Sequence, residues 1–208
     1  MRPALLVSVV LCLGAAPAPE PPAQAFAETR TTADGRTLAL TGTAKTKDAE
    51  IALYIDELDA RRAFPALVAR AGGRSRARLL ASDHAQSFVV WGHFTKLAVI
   101  RFVKPITAEA VRELWKDGLE VELEKDKASP ELKKLGEDVL NLFNKELKAG
   151  DEVVLRTDSE GRIELDVAGE KRLGPASPKL ARAFWSVWLG SKAELRRPLV
   201  ERIDLLGR

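Results

Sequence analysis

The chain has 208 residues, 46% hydrophobic and 30% charged, with 33 Lys and Arg against 30 Asp and Glu for a net charge of +3. That length and balance fit one globular domain with an appended segment. The basic surplus is small and charges of both signs alternate without a long basic block, so a nucleic-acid-binding footprint is excluded.

In chain order, residues 1–27 read as an export signal and its cleavage region. Arg2 precedes an apolar run, ALLVSVVLCLGAA at 4–16, which has the length of a signal-peptide core and is too short to span a bilayer. The Pro/Ala-rich stretch PAPEPPAQAFA follows, and its small-x-small sites place cleavage after Ala25 or Ala27. Cys12, the only cysteine, falls in this leader, so the mature domain, 28–208, is expected to rest on its core without disulfides. Leu11 stands where a lipid-attachment signal wants a small residue. No later apolar segment is long enough to cross a membrane, and the expectation is an exported domain, periplasmic or secreted.

Within the domain, Asp34-Gly35 marks a hairpin turn between polar-flanked strands. Residues 51–57 read as a strand with Ile51, Leu53 and Ile55 on one face. Phe64, Leu67, Val68 and Ala71 fall at helical spacing over 59–73, with Gly72-Gly73 as the stop and Pro65 arguing for a short or irregular start. The segment 74–93 has no clear period. Its Arg74, Arg76 and Arg78 read as a solvated edge rather than an anion site.

Residues 94–103 are apolar on both alternating faces, Phe94, Ala98, Ile100 and Phe102 against Leu97, Val99 and Val103, as in a strand covered on both sides. Thr107 then caps a helix to about Leu123 with Val111, Leu114, Trp115 and Gly118 as its buried stripe. A second amphipathic helix is expected over 130–150, with Leu132, Leu135, Val139, Leu142, Phe143 and Leu147 as its seam. Residues 151–169 form a hairpin turning at 158–161. Ser177-Pro178 opens a helix to Gly190 that puts Ala181, Phe184, Trp185 and Trp188 on one face, a pattern of core packing rather than an aromatic ligand box. Ser191 with Glu194 is a capping box for a last helix, which Pro198 interrupts. Strands and helices do not alternate regularly, so the expected class is α+β: an antiparallel sheet with helices packed on one side.

Little catalytic chemistry is visible. His84 and His93 are the only histidines, and with no cysteine and no ligand-spaced pair a zinc site is not expected. No cofactor is expected, although a haem needs only one axial histidine and remains an alternative. Phosphate-loop, dinucleotide and nucleophile-elbow motifs are absent from the sequence. Arg101 is unusual, a charge inside an apolar strand: its stem either reaches a sheet end or faces a cavity and pairs with an anion. Lys45 and Lys47 raise the same question more weakly.

Four stretches carry a resemblance: IALYID at 51–56, FTKLAVIRFVKPITAEAVRELWKDGLE at 94–120, LKAGDEVVLRTDSEGRIELDVAGEKRLG at 147–174 and ARAFWSVWLG at 181–190. Their order resembles the chalcone isomerase-like family, particularly its exported bacterial members. The resemblance implies an open-faced β-sandwich. For function it implies either intramolecular lyase chemistry that closes a chalcone, or non-catalytic fatty-acid binding with arginine and tyrosine on the carboxylate. The catalytic pattern is not reproduced. Tyr54, the one tyrosine, falls in a strand; Val111 and Trp115 stand on the helix where polar groups would be needed; and Asn141 and Asn144 lie in a later helix. Lys45 stands nearest the expected early arginine and lacks its planar fork. The expected function is therefore binding of a hydrophobic or amphipathic small molecule, such as a fatty acid, in a sheet–helix cleft, with Lys45, Lys47, Arg101 and Trp115 as candidate ligand residues. Alternatives are a residual isomerase and a structural or partner-binding protein with a filled cleft.

Overall fold

Seven strands form one antiparallel sheet in strict chain order: β1 (Thr29–Thr31), β2 (Thr37–Lys45), β3 (Ala49–Asp56), β4 (Lys96–Phe102), β5 (Glu152–Thr157), β6 (Arg162–Val167) and β7 (Glu170–Ala176). The structure is a computed structural model and describes residues 25–81, 83–190 and 193–207. The leader, with Cys12 and its apolar run, and the Ser191 cap lie outside those residues.

Two long insertions supply the helices. Between β3 and β4 come α1 (Glu57–Arg70), α2 (Arg76–Ala81) and α3 (His84–Trp91); between β4 and β5 come α4 (Ala108–Lys125) and α5 (Pro130–Leu140). After β7 follow α6 (Pro178–Leu189), the short α7 (Arg196–Leu199) and a 3₁₀ turn at Ile203–Gly207. The expected α+β class is thus observed, with the helices covering one face of the sheet.

Alternation decides which face. Ile51, Leu53 and Ile55 of β3, Ala98, Ile100 and Phe102 of β4, and Val153 and Leu155 of β5 join the main core with the helices. The opposite face carries a smaller apolar cluster of Leu38, Leu40, Ala52, Tyr54, Leu97 and Val99. β3 and β4 are buried on both faces, which is why their sequences read as nearly continuous apolar runs.

Several elements differ from the sequence reading. α1 begins earlier, at Glu57, because the Asp56 carboxylate accepts from the Asp59 N–H at 2.9 Å; Pro65 lies inside the helix rather than at an irregular start. Residues 74–93 contain two short helices. Leu114 is 46% exposed, and the buried stripe of α4 is Val111, Trp115, Leu119 and Leu123.

α5 stops at Leu140, ten residues short of the expected end. Its seam continues as turns at Leu142 and Phe143, whose carbonyls accept from Arg172 and Arg112, and Leu147 pairs with Ile106 as an isolated bridge. Side-chain donors and a strand partner thus replace the helical ladder. The edge strand β7 was not expected. Ala168 and Gly169, at φ of 50° and 86°, make the tight turn that leads into it.

The C-terminal segment locks onto a bulge in β2. The register shifts between Leu40 and Gly42, and the Thr41 hydroxyl, fully buried, reaches the carbonyls of Leu53 at 3.0 Å and Leu199 at 2.9 Å. A Cβ at Gly42 would lie 2.1 Å from the Pro198 carbonyl oxygen, so only glycine permits this approach.

Candidate functional site

The four residues expected to hold a ligand fall in three places. Lys45 is 74% exposed and pairs with Glu50 at 2.6 Å. Lys47 is exposed in the β2–β3 turn. Arg101 lies in register between Glu50 and Glu152 on the face away from the helices. It reaches Glu152 at 2.8 Å and Glu50 at 3.9 Å, and the Phe26 ring covers it at 4.6 Å. Neighbouring carboxylates therefore neutralise its charge.

Trp115 is on the other side of the sheet, under the helices. It packs on Trp188 at 4.1 Å, Phe184 at 5.5 Å and Phe143 at 6.0 Å between centroids. That cluster fills the space between α4, α6 and the sheet. Trp185 completes it, its indole N–H donating to the Thr157 hydroxyl at 2.9 Å, so the FWSVW stretch is core, as its spacing implies.

The open face also accounts for the only tyrosine. Tyr54 is fully buried and donates its hydroxyl to the Ala27 carbonyl at 3.0 Å. Burial pushes the phenol above its ordinary value. Residues 26–28 cross the small apolar cluster, held by this bond, by Phe26 on Arg101 and by an ion pair from Glu28 to Arg202. The tyrosine is committed to that segment.

A groove of about 700 Å³ lies between α1 and α3, at the β4 end where Phe94 enters the sheet. Its size falls within the ~300–1,000 Å³ usual for small-molecule sites. Helical spacing builds both walls: Arg62, Ala63, Ala66, Leu67 and Arg70 recur along one face of α1, and His84, Ser87, Phe88 and Trp91 along one face of α3. The floor is apolar, with Phe88 tilted against Phe94 at 5.2 Å and Leu67 buried beside them. Gly92 ends α3, its N–H donating to the Phe88 carbonyl at 3.0 Å; a Cβ there would lie 2.0 Å from the Phe94 ring.

The rim is cationic. Arg62 and Arg70 stand on it against one carboxylate, Asp59, which Arg62 meets at 3.3 Å, and both of the chain's histidines, His84 and His93, line the groove as well. Trp91 is 56% exposed at one edge, and the Arg182 guanidinium of α6 lies 4.4 Å over its ring. Among the described residues no cluster of three or more metal-ligating side chains occurs.

Beneath the floor is Lys96. It is 5% exposed, points to the helix side, donates to the Val90 carbonyl at 3.4 Å, and lies 5.3 Å from the Phe94 ring centroid. Gln86, one turn before Val90, is buried with an amide oxygen that lacks a hydrogen-bond partner. Burial, with Arg182 adding like charge, pushes the Lys96 ammonium down to about 7. Such an amine is chemically a base or nucleophile at neutral pH, yet Phe94 and α3 shut it from solvent.

The sequence carried a sign of Lys96. It sits at the same parity as Phe94 and Ala98, which places it on the helix-covered face. The groove had no such sign, because α3 is eight residues long and too short to establish a period.

The architecture is the open-faced, chalcone isomerase-like fold. A solved structure of a fatty-acid-binding protein from Arabidopsis thaliana superposes with a TM-score of 0.67 at 13% identity, covering 86% of this chain and 99% of that one. No protein-family model and no curated protein matches the chain.

Proposed function

We propose that this chain is an exported, non-catalytic binding protein for a small amphipathic acid of the fatty-acid kind, taken up in the α1–α3 groove. The observation that carries this reading is the groove itself, an apolar floor of Leu67, Phe88 and Phe94 below a rim of Arg62, Arg70, His84 and His93. An acyl chain lies on the rings, and its carboxylate meets the guanidiniums, which hold a planar anion with paired donors. The fold shared with a fatty-acid-binding protein supports the same ligand class. Non-catalysis is supported by the placement of Tyr54, which is sealed on the opposite face of the sheet with its hydroxyl engaged. Export rests on the apolar run at 4–16. No cofactor is needed for this role.

Native mass spectrometry of the mature protein tests it, before and after incubation of delipidated protein with palmitic acid. The expected result is a one-to-one adduct that a detergent wash removes. A protein that purifies empty and takes up no fatty acid overturns the reading.

A further inference from the structure

The cationic rim continues beyond the groove. From Glu57 to His93 the chain carries six arginines and no lysine against three acids, a surplus equal to the whole chain's net charge of +3. The remainder of the sequence is neutral. Of the six, Arg61 pairs with Glu57, Arg74 lies over Phe64, Arg76 pairs with Glu201 and Arg78 donates to the Gly72 carbonyl, which leaves Arg62 and Arg70 on the wall of the α1–α3 groove.

That face also carries an exposed aromatic side chain. Trp91 is 56% exposed, whereas Trp115, Trp185 and Trp188 are buried. It stands on the wall of the α1–α3 groove and also on that of a second cavity of about 570 Å³, whose other side includes Lys179 and Arg182. That wall also holds Lys127 and the carboxylates Asp126 and Glu131, so cations outnumber acids three to two there. An exposed indole with a cationic surplus on each side is the composition of a lipid headgroup contact. The ring settles at the boundary of the apolar and polar layers while the cations meet phosphates.

We propose that the α1–α3 face docks on an anionic lipid surface, with Trp91 at the headgroup level and Arg62 and Arg70 against phosphate. The charge selects the partner. A neutral apolar partner gives no use for Arg62, Arg70, Lys179 and Arg182 around the ring, and a soluble anion gives none for a half-exposed indole. Each basic residue brought to an anionic leaflet strengthens partitioning by about fivefold. No described helix is long and apolar enough to cross a bilayer, so the contact is peripheral. It is independent of the ligand reading, since docking needs no occupant in the groove.

Flotation with vesicles tests it, comparing pure phosphatidylcholine with a mixture holding about a third phosphatidylglycerol. The wild-type protein is expected to bind the anionic vesicles only, and less as salt rises. R62S/R70S is expected to lose about twenty-five-fold in partitioning. K104S/K148S removes the same charge from exposed sites near the opposite end of β4 and is expected to keep most of its binding. Brominated lipid reads the geometry, because Trp91 is the exposed tryptophan that a lipid surface reaches. Quenching that W91F abolishes supports the docking. Equal binding to neutral vesicles, no binding to either, or equal losses in the two double variants overturns it.

Discussion

Lys96 extends its amine to the Val90 carbonyl at 3.4 Å with the Phe94 ring 5.3 Å away, so one aromatic ring of the floor separates a buried amine from the groove. Among the described residues no carboxylate lies within ion-pairing distance of it. Its amine is pushed down to about 7 from the ordinary 10.5. Below about 7 both the folded and the unfolded chain hold the proton, and the folded state bears the full cost of the buried charge, on the order of 5 kcal/mol. Between about 7 and 10.5 the unfolded chain binds a proton that the folded chain does not, so stability rises with pH across that window. Lys96→Met removes the charge at similar volume. Urea unfolding at about pH 6 is expected to show a gain of several kcal/mol, shrinking toward pH 10. A gain that does not change with pH contradicts the assignment.

The small apolar cluster on the open face needs its cover. Tyr54→Phe removes the bond to the Ala27 carbonyl and is expected to cost about 1 kcal/mol in denaturant unfolding. A chain beginning at Glu28 lacks Phe26 and Ala27 and is expected to lose more, because Arg101 loses its ring contact and Leu38, Leu40 and Val99 lie closer to water.

Trp115→Ala empties the centre of the aromatic cluster under α4 and α6. The expected cost is about 3–5 kcal/mol, the range for a large aromatic removed from a core. The measurement is urea unfolding, and a cost below about 1 kcal/mol would mean that the cluster is loosely packed.

Gly42→Ala drives a methyl group into the Pro198 carbonyl, from 2.1 Å, at the bulge where the C-terminal segment docks. The expected effect is a loss of several degrees in Tm together with raised amide exchange at Leu199 and Arg202, whose backbone bonds lie there. Gly35→Ala is a poor control, since its φ of +78° strains any side chain.

Much of the fold was legible in the sequence because two-faced burial leaves a plain mark. The apolar runs of β3 and β4, the Thr107 cap and the Ser177-Pro178 start are each set by local chemistry. The two caps stand where the sequence places them, and the strands within two residues of it, although Glu57 belongs to α1 and Val103, past the end of β4, is 50% exposed. Tertiary partners decided the rest. α5 stops where Arg112 and Arg172 take over its carbonyls, and β7 exists because β6 offers an edge, despite its own polar sequence. The same holds for the site. Arg101 stands out in the sequence as a charge in an apolar strand, but its cross-strand carboxylates appear only once the register is known. The α1–α3 groove joins residues from two helices, a loop and the β5–β6 turn, and no local pattern announces it.

Calorimetric titration of lauric acid into delipidated protein, compared with Ala66→Trp, tests the central claim most directly. Ala66 is an exposed residue on the α1 wall, so a larger side chain fills the groove without touching the core or the charge of the rim. The expected result is one saturable site with a micromolar Kd, weakened at least about tenfold by the substitution. Saturable binding that Ala66→Trp leaves unchanged, or no saturable binding at all, would contradict it.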